Sequence, residues 1–393
     1  MTYKMLSEIC EFVKNKVDVE SLSRKTYIST ENMIAGKGGI VEASSLPSAK
    51  KTQAFYAGDI LISNIRPYFK KIWLASFDGG CSNDVLVFRA KPNISTQFLY
   101  YVLSDDLFFD YATSTSKGTK MPRGDKTAIM KYEVPDYSYV EQETIASILC
   151  LFDKKIESNR KINTNLNKQY VAIVDQMLAD LQDYEIKQLI EVADCQNGYA
   201  FYKEGYDEEG AFVIDLGNVN TAGNFVYTNS DKYISVDRYN TSKMEKYRVY
   251  KDDLVMVMTD RKSTMELLGK VGKIYKEGYY LLNQRMYRIR AKRGINANYL
   301  YACLNSTDVC NGLKEKALGS VQKYVNTGEI NGILLKIPSK EKMAQIASIL
   351  DPIFQQIETN ILENESLIKI RDELLPRLMS GKINVSSLAD IDI

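Results

Sequence analysis

The feature that most constrains this chain is an internal duplication with an offset of 201 residues. The pentapeptide Ile-Ala-Ser-Ile-Leu at 145–149 recurs at 346–350, and Arg-Ala-Lys at 89–91 recurs at 290–292. Chance repetition of one amphipathic helix would not preserve the same offset so far outside that helix. The 393 residues are therefore predicted to form two related halves, each a globular module followed by a long helix.

Each module is predicted to be rich in strands. Residues 57–67 and their counterparts 251–261 are typical of a turn, a buried strand and a polar exit. Residues 85–89 and 286–290 are further predicted strands, and each is followed by an apolar helix. This mixture of strands and short helices predicts the α+β class for both modules.

The end of each half is predicted to be one long helix. Apolar residues recur at spacings of three and four from residue 141 and again from residue 341, which indicates one buried stripe per helix. Helices of roughly 35–40 residues would be about 50–60 Å long, more than one module can cover. We therefore expect an antiparallel two-helix coiled coil that joins the modules and holds them apart. The alternative is that each helix packs on its own module alone. Pro352 predicts a kink or a late start of the second helix.

The predicted organisation follows from these patterns. It consists of two similar strand-rich α/β modules separated by two long antiparallel helices, with an internal pseudo-twofold repeat. The predicted boundaries are the first module at 1–139, its helix at 140–185, the second module at 186–339, its helix at 340–385, and a tail at 386–393.

Composition argues against a catalytic or metal-binding chain. The sequence has no histidine, which is the usual general base and the commonest zinc ligand, so no catalytic residue and no metal site are predicted. Six cysteines lack C-x-x-C spacing and are predicted to be small buried residues in a reducing compartment. No apolar run approaches the roughly 20 residues of a membrane span, and the N-terminus does not resemble a signal peptide. We expect a cytoplasmic protein.

The charge is divided between the modules and the helices. Residues 1–140 and 187–339 have a small excess of lysine and arginine, whereas 141–186 and 340–393 have a small acidic excess. A polyanion would therefore meet the modules. Two basic modules on a rigid spacer predict a two-headed reader of double-stranded DNA, with half-sites that differ because the modules have diverged.

Candidate DNA-binding side chains share two properties: they are donors suited to base edges or phosphates, and they lie in predicted loops. In the first module they are Asn64, Arg66, Lys70, Lys71, Ser82, Asn83, Lys117, Thr119, Lys120 and Arg123. In the second module they are Gln196, Asn197, Tyr199, Arg261, Lys262, Asn283, Gln284, Gln322, Lys323, Tyr324 and Asn326. The loops 116–123 and 319–326 are the strongest candidates as units, since both contain glycine and occupy the same place in their halves.

Several motifs resemble one known family. They are Leu-Ser-Glu-Ile-Cys at 6–10, the segment 27–33, Gly-Asp-Ile-Leu-Ile-Ser-Asn-Ile-Arg-Pro at 58–67, Ser-Asn-Asp at 82–84, the helical segment 142–159, and Leu-Leu-Pro-Arg-Leu-Met-Ser-Gly-Lys-Ile at 374–383. With these motifs the chain resembles the specificity subunit of type I restriction–modification systems along nearly its whole length. Gly-Ser-Val-Gln-Lys at 319–323 is nearer to the family's late loop than residues 118–123 are.

The resemblance implies a function. Each module would be a target-recognition domain that reads one part of a split, asymmetric DNA sequence. The helices would set the spacing and dock two methyltransferase (modification) subunits, and restriction subunits would join the complex. S-adenosylmethionine, ATP and magnesium would be bound by those partners and not by this chain, which has no Pro-Pro dipeptide of an adenine methylase motif and no Walker phosphate loop.

Two other readings remain open from the sequence. The chain could serve a type IIB-like system whose partner fuses methylation and cleavage, or it could be a two-headed scaffold that binds proteins. An enzymatic role for the chain alone is the weakest hypothesis, since no catalytic motif is present.

Overall fold

The computed structural model describes residues 2–201, 206–207, 209–228, 231–239, 242–260, 264–320, 322–383 and 385. Its contacts divide the chain into two compact units. Unit 1 comprises Met1–Ile156 and Ser366–Ile393, and unit 2 comprises Glu157–Glu365. Each unit therefore contains one module and one segment of each long helix.

Unit 1 is built from short strands and helices. Its strands are β1 (Tyr3–Met5), β2 (Cys10–Phe12), β3 (Lys16–Asp18), β4 (Tyr27–Ile28), β5 (Lys51–Phe55), β6 (Ile60–Ser63), β7 (Ile72–Leu74), β8 (Gly79–Cys81), β9 (Val85–Ala90) and β10 (Glu133–Pro135). Its helices are α1 (Leu6–Ile9), α2 (Thr96–Ser104), α3 (Asp106–Ser114), α4 (Lys126–Ile129) and the start of α5 (Tyr139–Ala179), with 3-10 turns at Val19–Ser21 and Pro67–Phe69.

Strand β6 shows why apolar and polar residues do not alternate along the central strands of this unit. The antiparallel sheet has the order β2-β9-β6-β7, and β6 lies between β9 and β7. Successive side chains of a strand point to opposite faces. Ile60 and Ile62 enter the core that holds helix α2, whereas Leu61 enters the core under the second sheet, β3-β5-β8-β4. Both faces are covered, so the first three residues of the strand, Ile60 to Ile62, are all apolar and buried.

Unit 2 repeats this construction. Its strands are β11 (Glu185–Gln188), β12 (Ala193–Asn197), β13 (Ala211–Ile214), β14 (Lys232–Ile234), β15 (Arg248–Val249), β16 (Leu254–Val257), β17 (Thr259–Asp260), β18 (Val271–Lys273), β19 (Tyr280–Leu282), β20 (Met286–Ala291), β21 (Lys323–Tyr324) and β22 (Leu334–Ile337). Its helices are α6 (Leu189–Val192), α7 (Val236–Tyr239), α8 (Ser242–Glu245), α9 (Ala297–Asn305), α10 (Thr307–Glu315), α11 (Thr327–Asn331) and most of α12 (Lys340–Met379), with a 3-10 turn at Leu216–Asn218.

The two units differ in one of their sheets. The order β12-β20-β16-β18 in unit 2 matches β2-β9-β6-β7 in unit 1. In the second sheet, β15-β19-β13 matches β5-β8-β4, including the one parallel pair. The fourth strand lies at opposite edges, since β3 pairs with β5 whereas β14 pairs with β13. The two units thus share seven of the eight strands of these two sheets and differ in the position of one edge strand.

The two long helices are paired inside each unit. In unit 2, Asn163 lies opposite Asn360 and Asn159 lies opposite Asn364, so the segments run antiparallel. In unit 1, Arg371 of α12 contacts Asp153 of α5. The predicted fold class is confirmed: two similar α+β units with a long antiparallel helix from each half. The second helix begins at Lys340 and continues through Pro352, so the alternative of a late start is wrong.

Each core is completed by both helices. The unit 1 core contains Ile145 and Leu149 of α5 together with Leu378 of α12. The unit 2 core contains Val174 of α5 and Leu350 of α12. The alternative in which each helix packs only on its own module is therefore wrong, because residues from the end of the chain close the core of the first module.

One contact between the helices has different chemistry in the two units. In unit 1, Arg371 Nη1 lies 2.6 Å from Asp153 Oδ1, and the Tyr101 hydroxyl donates to the other oxygen of this carboxylate. The offset of 201 residues places Phe354 where Asp153 stands and Tyr170 where Arg371 stands. These two rings pack at 5.6 Å between centroids. A polar contact and an aromatic contact thus fill the same place.

Two further sequence predictions can be compared with the structure. All six cysteines are free thiols; Cys10, Cys81, Cys303 and Cys310 are buried as predicted, whereas Cys150 and Cys195 are half-buried. Burial raises the pKa of the Cys10 thiol to about 12, so it behaves as a small apolar residue. Along the described part of the chain, no helix combines the length and apolar character needed to cross a membrane.

The polar contact in unit 1 gives a stability prediction. Arg371→Met leaves the Asp153 carboxylate, which is 31% exposed, without its cation, and we expect the free energy of unfolding to fall by about 1 kcal/mol. Adding Asp153→Asn should recover part of the loss, because the amide is neutral and its oxygen still accepts from Tyr101. Arg160→Met, at an exposed position on α5, is the matched control. Denaturant titration of the wild-type protein and the three variants measures these effects, and equal losses at Arg371 and Arg160 would contradict this account.

Candidate nucleic-acid interface

The candidate residues of unit 1 meet where β6 ends. The Asn64 N–H donates to the carbonyl of Asp84 at 2.8 Å, and the Asn64 carbonyl accepts from Gly124. Next to it, Ile65 forms a bridge with Arg123. These backbone bonds bring the exit of β6, the start of β9 and the loop 116–123 together at one edge of the sheet. Residues separated by some 60 positions thereby form one surface.

The loop 116–123 is an ordered hairpin. Lys117 and Arg123 exchange backbone hydrogen bonds of 2.8 and 2.9 Å. Gly118 has a φ of 97°, which favours glycine because it has no Cβ. Thr119 and Lys120 lie exposed at the tip of this hairpin. That this hairpin contacts DNA as a unit stays a prediction.

Several cations of this surface are held by carboxylates of the same unit. Lys70 lies 3.0 Å from Asp106, Lys117 lies 2.5 Å from Asp125, and Arg123 lies 3.0 Å from Asp84. These ion pairs are largely exposed and therefore contribute little stability. A bound phosphate could take the place of the carboxylate, so the pairs fix the side chains near the surface without blocking them.

Two side chains at the centre carry unpartnered polar atoms. Asn64 Oδ1 and Arg66 Nε are buried without a hydrogen-bond partner. Arg66 has a φ of 51°, an uncommon conformation for a residue other than glycine. Buried polar groups are usually paired in a folded protein. The strained backbone of Arg66 and the unpaired polar atoms of Asn64 and Arg66 therefore lie together, where a ligand could supply the missing hydrogen bonds.

The remaining candidates of unit 1 divide into anchored and free positions. Lys71 Nζ donates to the Thr30 carbonyl at 2.6 Å, and burial lowers the pKa of this lysine. Ser82 Oγ accepts from the Asp84 N–H, which orders the turn before β9. Asn83, between them in sequence, is exposed. Lys71 and Ser82 thus support the surface, whereas Asn83 is available to a ligand.

Unit 2 has the same backbone arrangement. Thr259 of β17 pairs with Tyr324 of β21, as Ile65 pairs with Arg123 in unit 1. Leu318 and Tyr324 exchange the hairpin hydrogen bonds, and the Val325 N–H donates to the carbonyl of Met258 at 3.0 Å. These bonds close a second hairpin at the equivalent edge; within the loop 319–326, Val321 lies outside the described residues.

A second segment of unit 2 joins this hairpin. Asn197 Nδ2 donates to Thr327 Oγ1 at 3.3 Å. Tyr199 forms a bridge with Asn283, whose Oδ1 accepts from the Gln284 N–H. The segment that ends β12 and the turn before β20 are thereby fixed beside α11.

The other candidates of unit 2 have mixed environments. Gln322 Nε2 is buried without a partner, as Asn64 Oδ1 is in unit 1. The backbone carbonyl of Asn326 accepts from Glu329 at the start of α11, and its side chain is exposed. Gln196 is half-buried on β12, and Lys323 is half-buried opposite Asp260. Arg261 and Lys262 lie outside the described residues.

Sequence reasoning missed the carboxylates of this surface. Asp106 and Asp125 bind the candidate lysines, yet Asp125 also caps α4 by accepting from Thr127 and Ala128. Thr259 was also missed, although its Oγ1 is buried without a partner. The polar exit of each strand, Ser-Asn-Ile-Arg at 63–66 and Met-Thr-Asp at 258–260, was the available signal. Among the described residues, no group of three or more acidic or cysteine side chains is arranged to hold a metal ion.

Comparison with known proteins identifies the class to which this fold belongs. The family model described as type I restriction modification DNA specificity domain matches residues 1–168 and again 181–366. The two matches correspond to the two halves of the internal duplication. The chain therefore belongs to the family of type I restriction–modification DNA specificity subunits, as the sequence motifs predicted.

Individual relatives agree with this assignment. The chain is 25% identical to the type I restriction enzyme MjaVIII specificity subunit of Methanocaldococcus jannaschii, over 98% of this chain and 93% of that protein. It is 24% identical to the HindI specificity subunit of Haemophilus influenzae, over 96% and 98% of the two chains. The crystal structure of a type I restriction–modification S subunit from M. genitalium has the same fold, with a TM-score of 0.52, 17% identity and 96% coverage of both chains.

The close approach of Gly198 to Asn283 gives a prediction. A Cβ added at Gly198 would lie 1.7 Å from the Asn283 carbonyl oxygen, so the backbone of one segment must move. We expect Gly198→Ala to lower the free energy of unfolding by about 1–3 kcal/mol and to weaken binding to duplex DNA by displacing Asn197 and Tyr199.

Gly312→Ala is the matched control, because a Cβ at that position of α10 meets nothing within 4 Å. Thermal unfolding and fluorescence anisotropy with a labelled duplex measure the two effects separately. Unchanged DNA affinity in a destabilised Gly198→Ala protein would remove these segments from the interface.

Proposed function

We propose that this chain is the DNA-specificity subunit of a type I restriction–modification complex, in which each unit reads one part of a split, asymmetric duplex sequence. The observation that carries the proposal is the pair of equivalent surfaces. In both units a strand exit is bonded to an ordered hairpin, through Ile65 and Arg123 in one and Thr259 and Tyr324 in the other. Two different half-sites can be read by the same backbone arrangement if it carries different side chains in the two units.

The chemistry of equivalent positions supports asymmetry. Arg123 corresponds to Tyr324, and Asp125 corresponds to Asn326, under the offset of 201 residues. Arginine donates two hydrogen bonds to guanine, whereas asparagine pairs with adenine in the major groove. The lysines beside them neutralise phosphates and position the chain without reading sequence. The two half-sites are therefore expected to differ in base composition.

The long helices are the proposed spacer and docking site. The segment 340–393 carries a mild acidic excess and α5 has equal numbers of cations and carboxylates, so neither helix has a net positive charge that would favour DNA, and both are left for protein partners. A duplicated chain offers equivalent surfaces twice, in keeping with two methyltransferase subunits. Restriction subunits would then join through the assembled complex.

The chemistry of modification is assigned to the partners. In this proposal S-adenosylmethionine is bound by the methyltransferase subunits, and ATP and magnesium are bound by the restriction subunits. The chain itself contributes recognition and no reacting group. Methyl transfer or DNA cleavage by the purified chain, surviving removal of partner proteins, would contradict this part of the proposal.

Selection from a random duplex pool tests the central statement. With the methyltransferase partner present, we expect the chain to enrich a split motif whose two parts differ and are separated by a fixed gap. Binding should weaken steeply with salt because phosphate contacts release counterions. Enrichment of one continuous motif, or of none, would contradict the proposal, and salt-independent binding to protein alone would favour the scaffold reading.

A matched variant in the same selection tests the spacer. Seven residues, close to two helical turns, are inserted into both helices near Asn163 and Asn364, where the helices face each other. The gap in the enriched motif should lengthen while both half-sites remain the same. A change in the half-sites with a constant gap would mean that the helices do not set the spacing.

A further inference from the structure

Unit 2 carries three positive side chains at positions that are uncharged in unit 1. Strand pairing defines the equivalence: Arg248 lies opposite Leu281 as Ala54 lies opposite Gly80, and Arg288 lies opposite Val255 as Val87 lies opposite Leu61. We name this set the basic strand patch, and its members, with their unit 1 counterparts, are Lys246 (Thr52), Arg248 (Ala54) and Arg288 (Val87).

Arg288 is the unusual member. It is only 8% exposed, whereas its counterpart Val87 lies in the apolar core of unit 1. Among the described residues no carboxylate forms an ion pair with it, and its Nε is buried without a partner. Burial lowers the pKa of this guanidinium. A buried charge without an ion-pair partner lowers the stability of the folded protein. An arginine at the position of a core valine therefore suggests a role other than stabilising the core.

The contacts of Arg288 show what it supports. Its Nη1 donates to the carbonyl oxygens of Lys246 at 3.0 Å and Arg248 at 2.9 Å. Arg248 is the first residue of β15 and Lys246 lies two positions before it, so Arg288 fixes the backbone of this segment from inside. It also adds a positive charge directly beneath the surface that they form.

The two outer members are presented by aromatic rings. The Arg248 guanidinium lies 3.9 Å from the centroid of the Tyr279 ring. Glu245 is the nearby carboxylate, at 3.9 Å from Arg248, and it accepts a hydrogen bond from the Tyr250 hydroxyl. Lys246 is exposed, with Nζ 4.7 Å from the Tyr247 ring. Stacking orients both cations. The Arg248 side chain is 25% exposed and its Nε is buried without a partner, so its terminal nitrogens are the groups left to meet an anion.

The basic strand patch adjoins the candidate interface of unit 2. The Tyr247 ring lies 5.2 Å from that of Tyr199, and the Tyr247 carbonyl accepts from Leu282, the neighbour of Asn283. Tyr247, the residue after Lys246, thus places the basic strand patch beside Tyr199 and Asn283.

We propose that the basic strand patch binds the phosphate backbone of duplex DNA beside the half-site read by unit 2. This inference rests on the proposed function. Since unit 1 has threonine, alanine and valine at these positions, unit 2 would supply a larger share of the affinity that does not depend on sequence. Lys246 and Arg248 would contact phosphates, and Arg288 would act as a positioning residue.

The dependence of affinity on salt tests the proposal. For duplex DNA the slope of log K against log salt is about 0.9 per phosphate contacted. In the complex with the methyltransferase partner, Lys246→Ala with Arg248→Ala should reduce that slope by about one to two and weaken binding to all sequences alike. The motif enriched from a random pool should stay the same. Lys25→Ala with Lys131→Ala, two exposed lysines of unit 1 outside the long helices and the candidate interface, is the charge-matched control and should leave the slope unchanged.

Arg288→Met tests the positioning role. Methionine suits the apolar surroundings that valine occupies in unit 1, so we expect the thermal unfolding temperature to be unchanged or higher while the salt slope falls. Arg288→Lys, which keeps a donor and the charge, should restore most of the slope. Loss of stability with an unchanged slope would make Arg288 purely structural and overturn its assignment.

Two results separate this inference from the function on which it rests. If the wild-type complex enriches a split motif but the Lys246→Ala, Arg248→Ala variant keeps the wild-type slope, the phosphate contact is wrong and the proposed function stands. If the wild-type complex enriches no split motif, the proposed function itself is contradicted.

Discussion

The structure depends on each module closing its core against both long helices. A buried leucine or isoleucine contributes about 1.5–3 kcal/mol, so Ile145 and Leu149 from one helix and Leu378 from the other represent a large share of the stability of unit 1. Leu378 is more than 200 positions from the strands it covers. The first module therefore needs the last helix of the chain, and its fold is complete only when the whole duplicated sequence has been made.

The seam between the helices has a different composition from the cores. In unit 2 the Asn360 amide donates to Asn163 Oδ1 at 2.7 Å, and Asn159 donates to Asn364 at 3.0 Å. These two hydrogen bonds are equivalents under the 201-residue offset. Buried asparagines in paired helices specify register at a cost in stability. We infer that apolar packing against the modules stabilises the helices, whereas the asparagines restrict how they face each other.

Much of this organisation could be predicted because it produces periodic patterns in the amino-acid sequence. The offset, the helical stripes and strands such as Ile60–Ser63 depend on local spacing and burial, which sequence reveals directly. For the candidate site, the sequence could indicate only which loops take part, because the loops 116–123 and 319–326 contain many hydrogen-bond donors. Which carboxylate holds Lys117, or that Asn197 meets Thr327, depends on tertiary contacts between distant segments. The buried Arg288 was missed for the same reason, because the sequence Tyr-Arg-Ile-Arg at 287–290 resembles an exposed alternating strand.

The central claim is that one chain carries two separate recognition surfaces that together define one DNA target. Methylome sequencing of a host with and without this gene tests it most directly. The account predicts that deletion abolishes methylation at one split motif, with two unlike parts and a constant gap, and leaves other methylated motifs intact. An unchanged methylome in a host that expresses the methyltransferase partner, or loss of a continuous motif, would contradict it.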